Sequence, residues 1–169
     1  VRAFEVPNAG RTARGVPLPQ VLPIAGNERI QAVIAVERTR FEDSDTEPGG
    51  GDDEDASVAR APSFLALMTR RGYVKKTALG AFASITARGL TAVRLDDGDA
   101  LLSARLCHND DVAVVASALG YATCFHTDEA QLRPTGRTSR GVRAMKMRAD
   151  DEIVDFDILR PEESGLTAG

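Results

Sequence analysis

"TARGLTAVRLDDGDALL" (Thr86–Leu102) and "TSRGVRAMKMRADDEIV" (Thr138–Val154) are one phrase written twice, 52 residues apart and without a gap. Thr86/Thr138, Arg88/Arg140, Gly89/Gly141, Ala92/Ala144 and Asp99/Asp151 are identical at matching offsets. Leu90/Val142, Val93/Met145, Leu95/Met147, Leu101/Ile153 and Leu102/Val154 keep apolar against apolar, and Arg94 matches Lys146. A repeat of this period means a structure assembled from copies of one unit.

The unit extends upstream. "FLALMTRRGYVKKTAL" (Phe64–Leu79) matches "VAVVASALGYATCFHT" (Val112–Thr127), which aligns Gly72 with Gly120. A shortened copy opens the chain, where Thr12-Ala13-Arg14-Gly15 precedes an apolar run, an acidic turn at Glu28, and Ile30 in the place of Leu101 and Ile153. The apolar runs Phe64–Thr69 and Val112–Ser117 stop at glycine turns, and Tyr73–Lys76 and Tyr121–Phe125 leave those turns as return strands. Ala92, Val93, Arg94 and Leu95 alternate with a period of two, which predicts a strand with one buried face. "DDGD" (96–99) and "ADDE" (149–152) are acidic turns feeding strands over Leu101–Leu106 and Ile153–Ile158. Leu79–Ser84 has room for a short helix.

The expected fold is all-β and propeller-like, with about three blades of four strands each. A partial first blade covers 1–37 and an acidic, Gly/Pro-rich insertion covers 38–62. The second blade runs over 63–109, the third blade with the start of the next over 110–160, and a tail over 161–169. Val1 in place of Met and the shortened first copy suggest a piece of a longer protein.

Net charge is −4 over 169 residues, which alone argues against a polyanionic partner. The distribution reverses that reading. Residues 42–55 hold eight acids and no base, and residues 150–163 hold seven acids and one base. The remainder carries a charge of +10. The insertion has almost no core-forming residues, so it is expected to be mobile and dispensable for folding. Two cysteines make no disulfide framework and fit a reducing compartment. No apolar run approaches the roughly 18 residues of a membrane span.

The Arg-Gly element is the recurrent candidate for function. Glycine accepts a turn that other residues resist, which accounts for Gly15, Gly89 and Gly141. An exposed arginine before each could be a solvated turn residue. Recurrence of Arg14, Arg88 and Arg140 at one repeat position instead places cations at equivalent points along a rim, which suits a curved polyanion. "RRGYVKKT" adds Arg70, Arg71, Lys75 and Lys76 around what reads as one hairpin tip. Arg11 precedes Arg14, and "RPTGRTSRGVRAMK" contributes Arg133, Arg137, Arg143 and Lys146 beside Arg140. Guanidinium forks and ammonium groups both suit phosphate oxygens without base readout. The few aromatics sit mostly within apolar runs, which disfavours stacking on single strands.

Catalytic readings find no constellation. Cys107-His108 and Cys124-x-His126 fit no compact metal-ligand spacing. Gly49–Gly51 is followed by four acids, which would repel a phosphate, and no Walker lysine follows. The aspartate pairs at 96–97, 110–111 and 150–151 sit in turns, where local backbone bonding explains them. The residues describe a binding domain with no catalytic group, metal or cofactor of its own.

Several phrases in order then resemble a known family: "VPNAGRTARGVPLPQVLPIAGNERIQAVIAV", "RRGYVKKTALGAF", "RGLTAVRLDDGDALL" and "GRTSRGVRAMKMRADDEIV". Together they resemble the C-terminal domain of the DNA gyrase A subunit, of the type IIA topoisomerases. The resemblance covers nearly the whole chain except the insertion and the last residues. It implies a β-pinwheel, whose blades exchange strands with their neighbours. It also implies sequence-independent binding and wrapping of double-stranded DNA, in support of ATP-dependent negative supercoiling by the intact enzyme. ATP and Mg2+ would be used elsewhere in that enzyme, which pairs two gyrase A chains with gyrase B. The setting would be bacterial cytoplasm, or a chloroplast or mitochondrion in a eukaryote. The implied DNA-binding residues are Arg11, Arg14, Arg70, Arg71, Lys75, Lys76, Arg88, Arg137, Arg140, Arg143 and Lys146. The glutamine-arginine-glycine-lysine box that separates gyrase from topoisomerase IV is not among these residues, so the topoisomerase IV subunit stays open as an alternative. Tyr73 and Tyr121 match no Arg-Tyr catalytic motif. A propeller-like scaffold for other proteins is the rival outside this family.

Overall fold

The computed structural model describes residues 5–24, 28–36, 64–84, 86 and 88–161. The insertion expected over 38–62 and the tail beyond Pro161 lie outside the described residues. Among the described residues seven strands form: β1 (Phe64–Thr69), β2 (Tyr73–Ala78), β3 (Leu101–Cys107), β4 (Val112–Ser117), β5 (Ala122–His126), β6 (Val142–Arg143) and β7 (Ile153–Leu159). They build a four-stranded sheet in the order β3-β1-β2-β6 and a three-stranded sheet in the order β5-β4-β7. The described N-terminal residues contribute a 3-10 turn, Leu18–Gln20, and no strand.

The repeat is written into the pairing. β1 pairs antiparallel with β2 and β3, and β4 pairs antiparallel with β5 and β7. Phe64 opposes Cys107 as Val112 opposes Leu159. The register slips at Met68/Thr69 in the first sheet and at Ala116/Ser117 in the second, which are matching positions. A bulge there bends the strand and ends the ladder at the same place in each unit.

Both hairpins turn at glycine, with φ of 79° at Gly72 and 83° at Gly120, where an L side chain is disfavoured. The backbone N–H of each glycine donates to the carbonyl three residues earlier, Gly72 to Thr69 at 3.0 Å and Gly120 to Ser117 at 3.1 Å. The hydroxyls of Thr69 and Ser117 accept from the amides of Tyr73 and Tyr121 at 3.2 and 3.3 Å. One carboxylate then clamps each hairpin to its returning strand. Asp99 Oδ1 accepts from the amides of Arg71 and Ala100, and Asp151 Oδ1 accepts from those of Leu119 and Glu152. Identity of Asp99 and Asp151 across the repeat follows from that shared task.

Alternation along the strands buries one face of each sheet against the other. Ala66, Met68, Val74 and Cys107 from the first sheet meet Ala113, Val115, Ile153 and Phe156 from the second. The opposite face of the first sheet, with Leu65, Leu79, Leu101 and Ala104, lines a cavity of about 420 Å³ whose far wall is Arg29–Ala32, Ile34 and Val36. Stacked sheets of this kind put successive blades side by side.

One expectation is corrected. The alternating residues 92–95 form no regular strand, because the phrase crosses between units and has too few ladder partners; its described backbone bond runs from Arg94 N–H to the Ser139 carbonyl at 3.1 Å. The short helix for which Leu79–Ser84 has room forms as a 3-10 helix, Leu79–Phe82.

Candidate nucleic-acid interface

β6 belongs by sequence to the second copy of the Arg-Gly phrase, yet it pairs with β2 of the preceding unit. Tyr73 opposes Arg143 and Val74 opposes Val142. The Ala144 amide continues this pairing to the Gly72 carbonyl at 2.8 Å, and the Thr135 amide bonds the Lys76 carbonyl at 2.9 Å. Between those anchors the loop 136–141 stays against β2, with its carbonyls on Lys75 and Gly141 against the Val74 carbonyl. This is the strand exchange implied by the resemblance, and it lays a basic segment along the sheet edge. Charged residues on an edge strand also discourage further strand addition.

All three Arg-Gly glycines have positive φ, 76° at Gly15, 73° at Gly89 and 96° at Gly141. Only Gly141 is also sterically required. A Cβ there would collide with the Val74 carbonyl oxygen and lie 2.9 Å from Lys75 Cβ, whereas Gly15 and Gly89 face open space. "GRTA" (10–13) and "GRTS" (136–139) close the same turn, with Ala13 N–H to Gly10 at 2.9 Å and Ser139 N–H to Gly136 at 3.2 Å.

The structure divides the eleven basic residues into three kinds. Arg11, Arg14, Arg71, Arg88, Arg143 and Lys146 are exposed and Arg137 is partly exposed, and none has an ion pair among the described residues. Arg71 stands at the hairpin tip beside Gly98, Arg143 lies on β6, and Arg137 and Lys146 flank β6. Arg70 and Arg140 are engaged, Arg70 Nη1 with Glu152 at 3.3 Å and Arg140 Nη1 with Asp96 at 2.7 Å. The Asp96 carboxylate raises the Arg140 pKa above the usual arginine value, chiefly through this hydrogen bond.

Lys75 and Lys76 are neither at the hairpin tip nor in contact with solvent. They lie within β2, 1% and 0% exposed. Adjacent strand residues point to opposite faces, so the two ammonium groups hold different segments, each joining its own unit to the next. Lys75 Nζ donates among four carbonyls: Ala92 at 3.0 Å, Gly136 at 2.7 Å, Arg137 at 2.8 Å and Ser139 at 3.3 Å. Lys76 Nζ donates to Asn109 Oδ1 and the Thr127 carbonyl, and lies 4.6 Å from the Phe64 ring centroid. Burial lowers both pKa values from the ordinary lysine range. These two residues are corrected from surface cations to internal fasteners. Their run of charge looks solvent-facing in sequence because nothing local announces the carbonyls that receive it.

Tyr73 and Asp96 carry no signal of their own in the sequence. The Tyr73 ring lies 4.3 Å from the Arg140 guanidinium and 5.2 Å from that of Arg143, whose Nη2 donates to the Tyr73 hydroxyl at 3.1 Å. The corresponding Tyr121 ring lies 5.5 Å from Arg148, and Arg148 stands at the repeat position of Asp96. Comparing the two phrases for that exchange of charge is what could have singled out Asp96.

Cys107 is buried in the core, with its thiol pushed up to about 12 by burial. Among the described residues no group of three His, Cys, Asp or Glu side chains gathers at one point.

The profile of the DNA gyrase C-terminal domain, a β-propeller family, matches residues 1–37, 63–108 and 114–160. The chain is 37% identical over 94% of its length to the DNA gyrase A protein of Synechocystis, of which it spans 16%. It is 35% identical over 99% of its length to the DNA gyrase A protein of Mycolicibacterium smegmatis, of which it spans 18%. In structure it resembles the C-terminal domain of DNA topoisomerase IV, with a TM-score of 0.64 and 23% identity, over 86% of this chain and 38% of that one. The strand exchanged through β6, the repeated Arg-Gly turns and the matched profile lead to one conclusion: this chain belongs to the DNA gyrase C-terminal domain family.

Proposed function

We propose that this chain binds the backbone of double-stranded DNA and curves it, as part of a DNA gyrase A protein. The observation that carries the reading is the β6 edge, where Arg137, Arg143 and Lys146 project from one strand and its flanks with no ion pair among the described residues. Arg88 and Arg14, in the other copies of the phrase, extend the cationic points to neighbouring units. Cations spaced by a repeating scaffold meet phosphates at intervals, and contacts at intervals along an arc favour bent DNA. The tyrosine rings near them are covered by guanidinium groups, Tyr73 by Arg140 and Arg143 and Tyr121 by Arg148, which favours a duplex partner recognised through its backbone over stacked single-strand bases.

In the intact enzyme the curved segment would be presented for passage in one direction, giving negative supercoiling with ATP. The partners on this reading are gyrase B and a second gyrase A chain, and ATP and Mg2+ act outside this chain. The compartment is bacterial cytoplasm, or a DNA-containing organelle.

The test is binding of a fluorescent duplex of about 40 base pairs across a salt series. Log affinity should fall linearly with log salt, by roughly 0.9 per phosphate neutralised. Arg137→Gln, Arg143→Gln and Lys146→Gln together should reduce that slope by about 2–3 for every duplex sequence tested. A protein-binding scaffold would give no such slope.

A further inference from the structure

The Arg-Gly copies are unequal. Arg88 is exposed and has no ion pair among the described residues, whereas Arg140 is held by Asp96 at 2.7 Å and lies over the Tyr73 ring. Asp96 comes from the preceding copy of the same phrase, so one unit restrains the arginine of the next.

The turn around Asp96 does not need an acid. Asp99 N–H donates to the Asp96 carbonyl at 2.9 Å, and Asp151 N–H donates to the Arg148 carbonyl at 3.3 Å, the same turn with arginine in the acid's place. The hairpin clamp in each unit is made by Asp99 or Asp151 instead. The Asp96 side chain is therefore spare as far as the turn is concerned, and its one described bond is to Arg140. A carboxylate oxygen at this distance from a guanidinium occupies the place that a phosphate oxygen would take.

We propose that Asp96 is a built-in competitor of the DNA phosphate for Arg140. Resting on the duplex-binding reading above, this makes Asp96 a residue that sets affinity without touching DNA. Arg88, Arg143 and Arg137 engage the backbone first, and Arg140 joins only when a phosphate displaces the carboxylate. The repeat position of Asp96 is thus a place where the strength of each blade's hold is adjusted, toward weaker binding with aspartate and stronger with arginine, as in Arg148.

The experiment is a double-mutant cycle of Asp96→Asn and Arg140→Gln in the full chain, read by duplex binding across salt. Asp96→Asn alone should tighten binding at low salt by about two- to fivefold, the scale of an exposed ion pair. It should also steepen the salt slope by about 0.9, one more phosphate contact. In the Arg140→Gln background both gains should vanish. Equal tightening in both backgrounds would mean a general effect of net charge, and unchanged or weaker binding would mean that Asp96 positions Arg140; either result overturns the proposal. A second readout, the Arg140 side-chain NMR signal titrated with inorganic pyrophosphate, does not depend on DNA. There Asp96→Asn should bring the Arg140 response to a several-fold lower pyrophosphate concentration, and an identical response in parent and variant overturns the proposal. Absence of salt-dependent duplex binding in the parent would instead sink the DNA reading, while the pyrophosphate titration still decides the role of Asp96.

Discussion

The Lys75 ammonium lies 2.7 Å from the Gly136 carbonyl oxygen, fastening the Arg-Gly loop of one repeat to a strand of the repeat before it. Three further carbonyls share the same ammonium, one of them from the other copy of the phrase. Hydrogen bonds to a charged group contribute about 1.5–3 kcal/mol net. Lys75→Met should therefore lower stability by about 3 kcal/mol, since it also strands buried carbonyls. Urea denaturation measures this, and a loss below about 0.5 kcal/mol, the scale of an ordinary surface substitution, would mean that water replaces the cage.

The two phrase glycines should respond differently to a methyl group. Gly89→Ala meets only the cost of a left-handed backbone, about 1–2 kcal/mol. Gly141→Ala adds a collision with the Val74 carbonyl oxygen, so overpacking should contribute a further 1–3 kcal/mol or so. Equal losses in thermal melts of the two variants would contradict the close approach at Gly141.

Asp99→Ala and Asp151→Ala should lower the melting temperature by similar amounts. Each removes one carboxylate oxygen that accepts from two backbone amides in matching geometry. A large effect at one site and none at the other would break the equivalence of the two units.

Alkaline pH should reveal the burial of Cys107. Burial pushes Cys107 from 9.0 to about 12, so its thiol stays protonated in the folded chain where the unfolded chain has ionised. A raised folded pKa contributes stability that is present below pH 9 and lost as pH climbs toward 12. Cys107→Ala should therefore lose less stability than the parent over that window. The lowered pKa values of Lys75 and Lys76 act in the opposite sense; the Lys75 contribution is common to both proteins, while the Cys107 thiolate partly offsets the lowering at Lys76 in the parent alone. Iodoacetamide should label exposed Cys124 and spare Cys107 in the native chain.

Legibility in the sequence followed locality. The repeat, the all-β class, the glycine turns and the acidic turns were all readable, because turn chemistry and a period of two depend on neighbours along the chain. The roles of Asp99 and Asp151 could be noticed as identities but not explained, since one of the two amides each clamps, that of Arg71 or Leu119, comes from the hairpin tip 28 or 32 residues away. The candidate interface was readable only in part. Arg88, Arg143 and Lys146 are exposed as their sequence context suggests, yet nothing along the chain separates Lys75 from Arg71.

By itself the sequence determined that copies of one β unit stack, and that an arginine precedes a left-handed glycine in each. Tertiary structure alone decided which cations face solvent. β6 crosses to the sheet of the preceding unit, and the loop before it brings three carbonyl oxygens to Lys75 beside that of Ala92, turning a surface charge into a buried tie. The same crossing sets Arg140 against Asp96, a residue 44 positions away. A charge acquires its function from the partners that desolvation and geometry bring to it, and those partners arrive only when the units pack.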